Sequence, residues 1–417
     1  MTEKRKQLRQ SAVLVAGTGA TAVLTLGFMV VCGWRLGAEK VADLYAGIFL
    51  LFAVHTVFMP VNTAIARFTA VIAVDAGRGQ IRALHRVVFA RVRSVAFVVG
   101  AAFIVGSPWI ADAMGIDPVL LVVAWLAALL IGLASIDRGV MRGTQSFGVL
   151  AANMVGEAGV RVAVGLAAVF ALGRADVAMA AYLVGIVAVW PHLRGWLRRH
   201  GSDSQLESSL GPSTARFWSF VWPLLVLAVA DAGFQNYDVL YVKRVFPDGD
   251  AGAYGAAATL SRGLGVAVTP FVIQVVPLLA DHSARKRSTS GAMARLVGAF
   301  VFLSVGAMLF FAAAGDLLVE TLFGRDFDAA ADVLVPHALG SLAGYLAMVL
   351  AQGLAALARF WFIGAYVAAF VVEILLLHMF GDTPVAVAVC ALVVKFGVLG
   401  LTAIAWMTRN RGSGAPA

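Results

Sequence analysis

Residues 11–33 read SAVLVAGTGATAVLTLGFMVVCG, and no charged side chain interrupts them. A helix needs about 20 apolar residues to cross the hydrocarbon core of a bilayer. The basic tail before this run resembles the start of a signal peptide, but the run is too long for one and lacks a clear small-residue cleavage site. We therefore predict that residues 11–33 form the first permanent membrane span.

Apolar runs of similar length fill almost the whole chain. Hydrophobic residues make up 61% of the sequence and charged residues 13%, and the mean hydropathy is +0.89, which is not the composition of a soluble domain. We therefore predict an all-α polytopic membrane protein with about 12 transmembrane helices. The expected spans are 11–33, 45–66, 93–111, 118–136, 148–171, 176–192, 217–241, 254–280, 295–314, 333–357, 361–380 and 385–407.

The loops between these spans alternate in charge. Of the 32 Lys and Arg residues, 23 fall on the side of the N-terminus, six fall on the opposite side and three lie inside spans. Because Lys and Arg stay preferentially in cytoplasmic loops, we expect both termini to be cytoplasmic. The net charge of +9 is interpreted as cytoplasmic loops that face anionic lipid, so no nucleic-acid partner is expected.

The basic stretch after the second span contains an arginine stripe. Arg78, Arg82 and Arg86 recur at four-residue intervals, which places them on one face of a helix. We interpret this stripe as a topology signal at the lipid head groups, with capture of a substrate as the alternative.

The chain divides near its midpoint, where residues 201–214 read GSDSQLESSLGPST, as in a flexible linker. Tyr45 precedes Pro60 in the second span of the first half, and Tyr254 precedes Pro270 at the same place in the second half. This echo predicts two six-helix lobes related by pseudo-two-fold parallel repeats. The predicted parts are lobe 1–192, linker 193–216 and lobe 217–417.

Polar residues within the spans carry the functional expectation. A charge at the centre of a membrane helix costs about 2.5–3.5 kcal/mol on insertion scales, so it usually faces a cavity or a partner. The sequence lacks the common soluble-enzyme motifs, and its two cysteines form no metal-binding pattern, so no enzyme, metal or cofactor is expected. The candidate substrate- or ion-binding residues are Asn153, Glu157, Arg161, Asp231, Gln235, Asp238, Arg262, Glu373 and Lys395.

Asn153, Glu157 and Arg161 follow one another at four-residue steps on one helix face. Glu157 and Arg161 form either a self-neutralised pair or the lining of a cavity that contacts substrate or relays protons. Both interpretations remain open at this point.

The other intramembrane charges have similar alternatives. Asp231 is a candidate for proton or cation binding, which would couple transport across the membrane to H⁺ or Na⁺. Asp238 is a candidate of the same kind or a cap of the outer helix end, and Arg262 is expected to reach outward or to pair with it. Glu373 and Lys395 are expected to neutralise each other.

Three passages resemble the multidrug/oligosaccharidyl-lipid/polysaccharide exporter superfamily, and specifically its polysaccharide flippase branch. Residues 66–92, ARFTAVIAVDAGRGQIRALHRVVFARV, look like the basic connection after the family's second span. Residues 139–170, GVMRGTQSFGVLAANMVGEAGVRVAVGLAAVF, look like its fourth-to-fifth connection, where a short turn leads into a helix with Glu and Arg. Residues 236–280, NYDVLYVKRVFPDGDAGAYGAAATLSRGLGVAVTPFVIQVVPLLA, are similar to its seventh and eighth spans.

The resemblance implies a V-shaped bundle of two six-helix lobes that exports an isoprenoid-linked oligosaccharide to the outer leaflet by alternating access. It also implies that Asp238 matches the family's seventh-span Asp, Tyr254 its G-x-Y tyrosine and Arg262 a cavity arginine. Lipid II flippases gather several arginines around the cavity, whereas the predicted spans here contain three positive and four negative residues. The resemblance therefore favours a glycan lipid other than lipid II.

The expected partners are the lipid-linked oligosaccharide, membrane lipids, and glycan polymerase or glycosyltransferase machinery. The expected location is the bacterial plasma (inner) membrane.

A cation-coupled multidrug exporter of the same superfamily is the main alternative function, because its fold would be the same. A major-facilitator transporter also has 12 spans, but DAGRG at 75–79 is only a fragment of that family's loop motif. A scaffold for a glycan-assembly complex, without transport of its own, is the remaining alternative.

Overall fold

The computed structural model describes residues 3–75, 78–200, 211–265, 289–356 and 360–408 of the 417-residue chain. These described residues form eleven α-helices and one short 3-10 helix, Arg325–Phe327, and contain no strand. Ten of the helices are long and apolar enough to cross a membrane, so the predicted all-α polytopic class is confirmed. The helices are α1 Glu3–Asp75, α2 Arg78–Met114, α3 Pro118–Gly143, α4 Phe147–Leu172, α5 Ala175–His200, α6 Gly211–Val245, α7 248–265, α8 Thr289–Phe323, α9 Ala329–Ala356, α10 Ile363–Phe380 and α11 Pro384–Thr408.

Gly37 divides α1 into two helical halves. Its φ of 78° and ψ of 168° lie where residues with a side chain are rarely found, so glycine is suited to this break. With α1 counted as two halves, the described helices correspond one to one to the 12 predicted spans, although the span predicted at 254–280 is described only to residue 265.

The helices extend beyond the predicted spans. α2 begins at Arg78, whereas the span was predicted at 93–111, and α3 continues to Gly143, beyond its predicted end at residue 136. The described part of the predicted basic loop is therefore helical. Hydrophobicity marks only the membrane-embedded part of each helix, which explains why the polar ends were missed.

The helices pack into two compact units. Unit 1 comprises Met1–Leu36 and Asp43–Ala232, and unit 2 comprises Gly37–Ala42 and Gly233–Ala417. The division falls inside α6, which contributes its first part to unit 1 and its second part to unit 2.

Helices extend into both ends of the linker predicted at 193–216. α5 reaches His200 and α6 begins at Gly211, while residues 201–210 lie outside the described residues. The division into 1–192, 193–216 and 217–417 stays a prediction.

Each unit has one helix that is more buried than its neighbours. In unit 1, α3 packs against α2, α4 and α5, and in unit 2, α9 packs against α8 and α11. Small residues also allow close approach to α1: Gly165 of α4 faces the Phe28 ring, and Gly139 of α3 faces the Asn62 carbonyl. Small residues at helix contacts are typical of proteins that pack in lipid.

Large apolar side chains cover much of the outer surface. Trp34, Phe97, Trp109 and Phe302 are each more than 70% exposed. Such an apolar surface is unfavourable in water and is expected where helices face lipid. The exterior therefore agrees with a membrane-embedded protein.

Gly252 of α7 provides a test of the packing within unit 2. A Cβ atom at Gly252 would overlap the backbone carbonyl of Ala38, which cannot move aside like the end of a flexible side chain. We expect Gly252→Ala to lower the free energy of unfolding by roughly 1–3 kcal/mol. Gly249→Ala on the same helix is the matched control, since nothing lies within 4 Å of its Cβ position. Thermal unfolding in detergent measures both, and equal melting temperatures would contradict this contact.

Candidate functional site

Unit 1 contains a buried cluster of charged side chains on α3 and α4. Oε2 of Glu157 accepts a hydrogen bond from Nη2 of Arg138 at 2.5 Å, and Oε1 lies 3.7 Å from Nη1 of Arg161. Arg138 also donates to Oδ1 of Asn153, through Nε at 3.0 Å and Nη2 at 2.8 Å. The predicted stripe of Asn153, Glu157 and Arg161 is therefore joined by Arg138, a second arginine from the neighbouring helix.

Arg161 is held from two further helices. Its Nη2 donates to Oγ1 of Thr25 on α1 at 2.5 Å, and its guanidinium carbon lies 4.4 Å from the ring centroid of Tyr182 on α5. A hydroxyl acceptor and an aromatic face both stabilise a buried cation. The cluster contains one carboxylate and two guanidinium groups. Its formal charge is therefore +1, and the Glu157 carboxylate has an arginine on either side.

Three of the candidate residues, Asp231, Gln235 and Asp238, lie on α6 and are divided between the units. Asp231 belongs to unit 1 and is buried, with 8% of its surface exposed. Gln235 and Asp238, one and two turns later, belong to unit 2. The three residues therefore contribute to two different environments.

Asp238 is the centre of a fully buried cluster in unit 2. Its Oδ2 accepts a hydrogen bond from the Tyr254 hydroxyl on α7 at 2.9 Å, and it lies 3.2 Å from Nε2 of His337 on α9 and 3.9 Å from Nζ of Lys395 on α11. Asp238 has no exposed surface, and Lys395 is 1% exposed. A carboxylate contacted from three other helices fixes their positions relative to α6, so Asp238 is more than a cap of the helix end.

Arg262 lies beside this cluster and uses other acceptors. Its Nη2 donates to the Gln235 carbonyl at 2.7 Å and to Oδ1 of Asn236 at 2.8 Å. The ammonium group of Lys395 also lies near Asp238, so more than one cation belongs to this environment. The hydroxyl group that α7 presents to Asp238 is that of Tyr254. The pairing of Arg262 with Asp238 stays a prediction.

Glu373 of α10 has no exposed surface, and neither carboxylate oxygen accepts a hydrogen bond within the described part of the chain. The predicted pair with Lys395 is not formed at contact distance, since the ion pair of Lys395 in the described residues is with Asp238. Burial of a carboxylate without a hydrogen bond is costly. The role of Glu373 in binding a substrate or an ion stays a prediction.

Sequence reasoning did not single out Arg138, His337, Thr25 or Tyr182 as members of these clusters. Arg138 lies beyond residue 136, where the span in α3 was predicted to end. A helix prediction that extended α3 by one turn would have placed Arg138 within a helix, whereas its contact with Glu157 depends on how α3 and α4 pack. The described residues contain no group of three or more His, Cys, Asp or Glu side chains that could hold a metal ion.

The sequence matches the family model described as polysaccharide biosynthesis protein over residues 51–332, which is more than half of the chain. The chain belongs to this family. The match includes the Glu157 cluster and Asp238, so the family region contains polar groups of both units. Comparison with curated proteins gives no significant match.

The fold of this polysaccharide biosynthesis family member is shared with solved membrane proteins of low sequence identity. The lipid II flippase MurJ in an inward closed conformation has a TM-score of 0.75 at 13% identity, covering 94% of this chain and 87% of that chain. An inward-facing multidrug resistance MATE family transporter of the MOP superfamily has a TM-score of 0.75 at 10% identity, covering 97% and 100%. A MATE transporter of Vibrio cholerae in the bent form has a TM-score of 0.66 at 12% identity, covering 99% and 98%.

Removal of Glu157 tests whether the two buried arginines depend on it. We expect Glu157→Gln to lower the free energy of unfolding by about 3–5 kcal/mol, because two guanidinium groups would lose their counter-charge in a low-dielectric environment. Asp176→Asn is the control, since Asp176 pairs with the mostly exposed Arg174, and such surface pairs contribute little. Thermal unfolding of both variants gives the comparison. Similar small losses for both would mean that the Glu157 cluster is solvated.

The pair of Asp238 and Lys395 is tested by a double-mutant cycle. Lys395→Met should destabilise unit 2 strongly, because the Asp238 carboxylate loses the nearby ammonium group. The additional change Asp238→Asn should recover part of that loss, since neither charge of the pair is then left without the other. Melting temperatures of the two single variants and the double variant measure the coupling. Additive losses would show that the two charges do not interact.

Proposed function

We propose that the protein moves an isoprenoid-linked oligosaccharide from the cytoplasmic to the outer leaflet by alternating access. The observation that carries this proposal is membership of the polysaccharide biosynthesis family over residues 51–332. A sugar–phosphate head group cannot cross hydrocarbon, so its carrier must offer polar groups inside the membrane. The buried clusters around Glu157 and Asp238 are polar groups of this kind.

The cluster around Glu157 is suited to the phosphate part of such a lipid. It has one positive charge in excess, and a guanidinium group matches the geometry of phosphate oxygens. Arg138 is the more accessible of the two arginines, with 11% of its side chain exposed against 6% for Arg161. In this proposal Arg138 meets the phosphate first. An inside-negative potential would then favour outward movement by about 2.3 kcal/mol per negative charge per 100 mV.

The return step is proposed to be coupled to H⁺ or Na⁺. Glu157 is a poor coupling group, because two arginines already neutralise it. Asp231 and Glu373 are better candidates, since both are buried carboxylates outside that cluster. The proposed location is the bacterial plasma membrane, and the charge asymmetry of the loops supports cytoplasmic termini. Glycan polymerases or glycosyltransferases are its proposed protein partners.

Reconstitution tests the proposed transport. Purified protein in liposomes that contain a labelled isoprenoid-linked oligosaccharide should make the label in the inner leaflet accessible to an added membrane-impermeant reagent. We expect Asp231→Asn to abolish this exchange without lowering the amount of folded protein, whereas Asp176→Asn should retain it.

Deletion of the gene should lead to accumulation of the lipid-linked oligosaccharide facing the cytoplasm. No acceleration over protein-free liposomes, together with no accumulation in the cells, would reject the proposal.

A cation-coupled multidrug exporter is the second candidate. It is favoured by the buried carboxylate of Glu373, which suits a coupling ion, and by the fold similarity to MATE transporters. The same deletion strain separates the two candidates. Increased retention of cationic drugs with normal levels of lipid-linked oligosaccharide would support the exporter, and the reverse result would support the flippase.

A further inference from the structure

A basic cavity lies within unit 1, apart from the cluster around Glu157. It has a volume of about 390 Å³ and lies between α2, the end of α3 and α5. Among the described residues that line it, five are arginines and none is acidic. The arginines are Arg82, Arg86, Arg93, Arg194 and Arg198.

The helix geometry explains why so many arginines reach one cavity. Arg82 and Arg86 are four residues apart on α2, and Arg194 and Arg198 are four residues apart on α5. Residues at this spacing lie on one face of a helix, so the two helices direct paired guanidinium groups towards each other across the cavity. Like charges around one concave surface raise its potential and attract an anion.

A buried carboxylate orients two of the basic groups in the wall. Asp137 of α3 has no exposed surface, and its Oδ1 lies 2.6 Å from Nε2 of His85 while its Oδ2 lies 3.4 Å from Nε of Arg194. The guanidinium carbon of Arg194 also lies 4.2 Å from the ring centroid of Phe89. This arrangement reduces the entropy that is lost when a ligand binds.

The remaining wall combines a hydroxyl group with apolar side chains. Thr144 follows α3, and Ile81, Phe89, Val140, Trp196 and Leu197 supply hydrophobic surface. Guanidinium groups bind phosphate oxygens with charge-assisted hydrogen bonds, and an apolar wall suits the glycerol or first isoprene unit next to the phosphate. The lining therefore matches the junction between a phosphate and a lipid chain.

We propose that this cavity binds the phosphate group of an anionic membrane lipid, either a phospholipid head group or an isoprenyl pyrophosphate. Both sources share the phosphate chemistry that the arginines recognise, and they differ in the apolar group attached to it. The proposal does not depend on the transported substrate, because a cavity of this kind can hold a structural phospholipid in a protein that moves another molecule.

Two matched double variants test the proposal. Arg86→Gln with Arg198→Gln removes one cavity arginine from α2 and one from α5, whereas Arg91→Gln with Arg199→Gln removes one from each helix outside the cavity lining. The two variants therefore have the same net charge and altered helices. Three probes are used. The first is phosphatidylglycerol, presented in nanodiscs that also contain phosphatidylcholine, and the other two are farnesyl pyrophosphate and inorganic pyrophosphate. Binding of each probe to the full-length protein is measured by native mass spectrometry and by titration.

We expect the cavity variant to bind the lipid probes at least about tenfold more weakly than the unchanged protein, and the control variant to bind within about twofold of it. Binding by the unchanged protein should weaken as salt is added. Selective retention of phosphatidylglycerol would identify a phospholipid source, and tighter binding of farnesyl pyrophosphate would identify an isoprenyl source. Equal binding by the two variants, or binding of inorganic pyrophosphate without either lipid, would overturn the proposal. Thermal unfolding of both variants checks that they are folded.

Discussion

A charged side chain inside the hydrocarbon core of a membrane is stable only when a counter-charge or hydrogen-bond partners surround it, and both units of this protein are organised around that constraint. In unit 1, Glu157 is placed between Arg138 and Arg161. In unit 2, helices α7, α9 and α11 each bring a side chain to the carboxylate of Asp238. These contacts specify which helix faces meet, because any rotation of one helix would leave a buried charge without its partner.

The two clusters differ in net charge, and this difference suits them to ligands of opposite charge. The Glu157 cluster has an excess positive charge, which favours an anionic ligand. In unit 2, Lys395 lies next to Asp238, while Glu373 is a second buried carboxylate that accepts no hydrogen bond from the described residues. Glu373 is for this reason one of the groups that we propose to bind the coupling ion. A positively charged cluster in one unit and a buried carboxylate in the other suit the ion-coupled transport that we propose.

Much of the architecture was predictable from the sequence, because a membrane span requires a long apolar run and such runs are easily recognised. The stripe of Asn153, Glu157 and Arg161 was also predictable, since all three residues lie on one helix and four-residue spacing defines a face. Pairings between helices were not predictable in this way. The expected partner of Lys395 was Glu373, whereas the structure places it near Asp238, because the choice depends on how α6, α10 and α11 rotate against one another.

The arginines of α2 and α5 illustrate how one sequence feature can serve two purposes. A topology signal requires only that Lys and Arg remain on one side of the membrane, and it places no demand on their orientation. A carboxylate buried among those arginines adds nothing to such a signal and costs desolvation energy. Asp137 is nevertheless fully buried and holds both His85 and Arg194 in the cavity wall. Orientation at that cost is expected of a binding site, which supports the proposal that the basic faces of α2 and α5 bind a phosphate group in addition to serving as a topology signal.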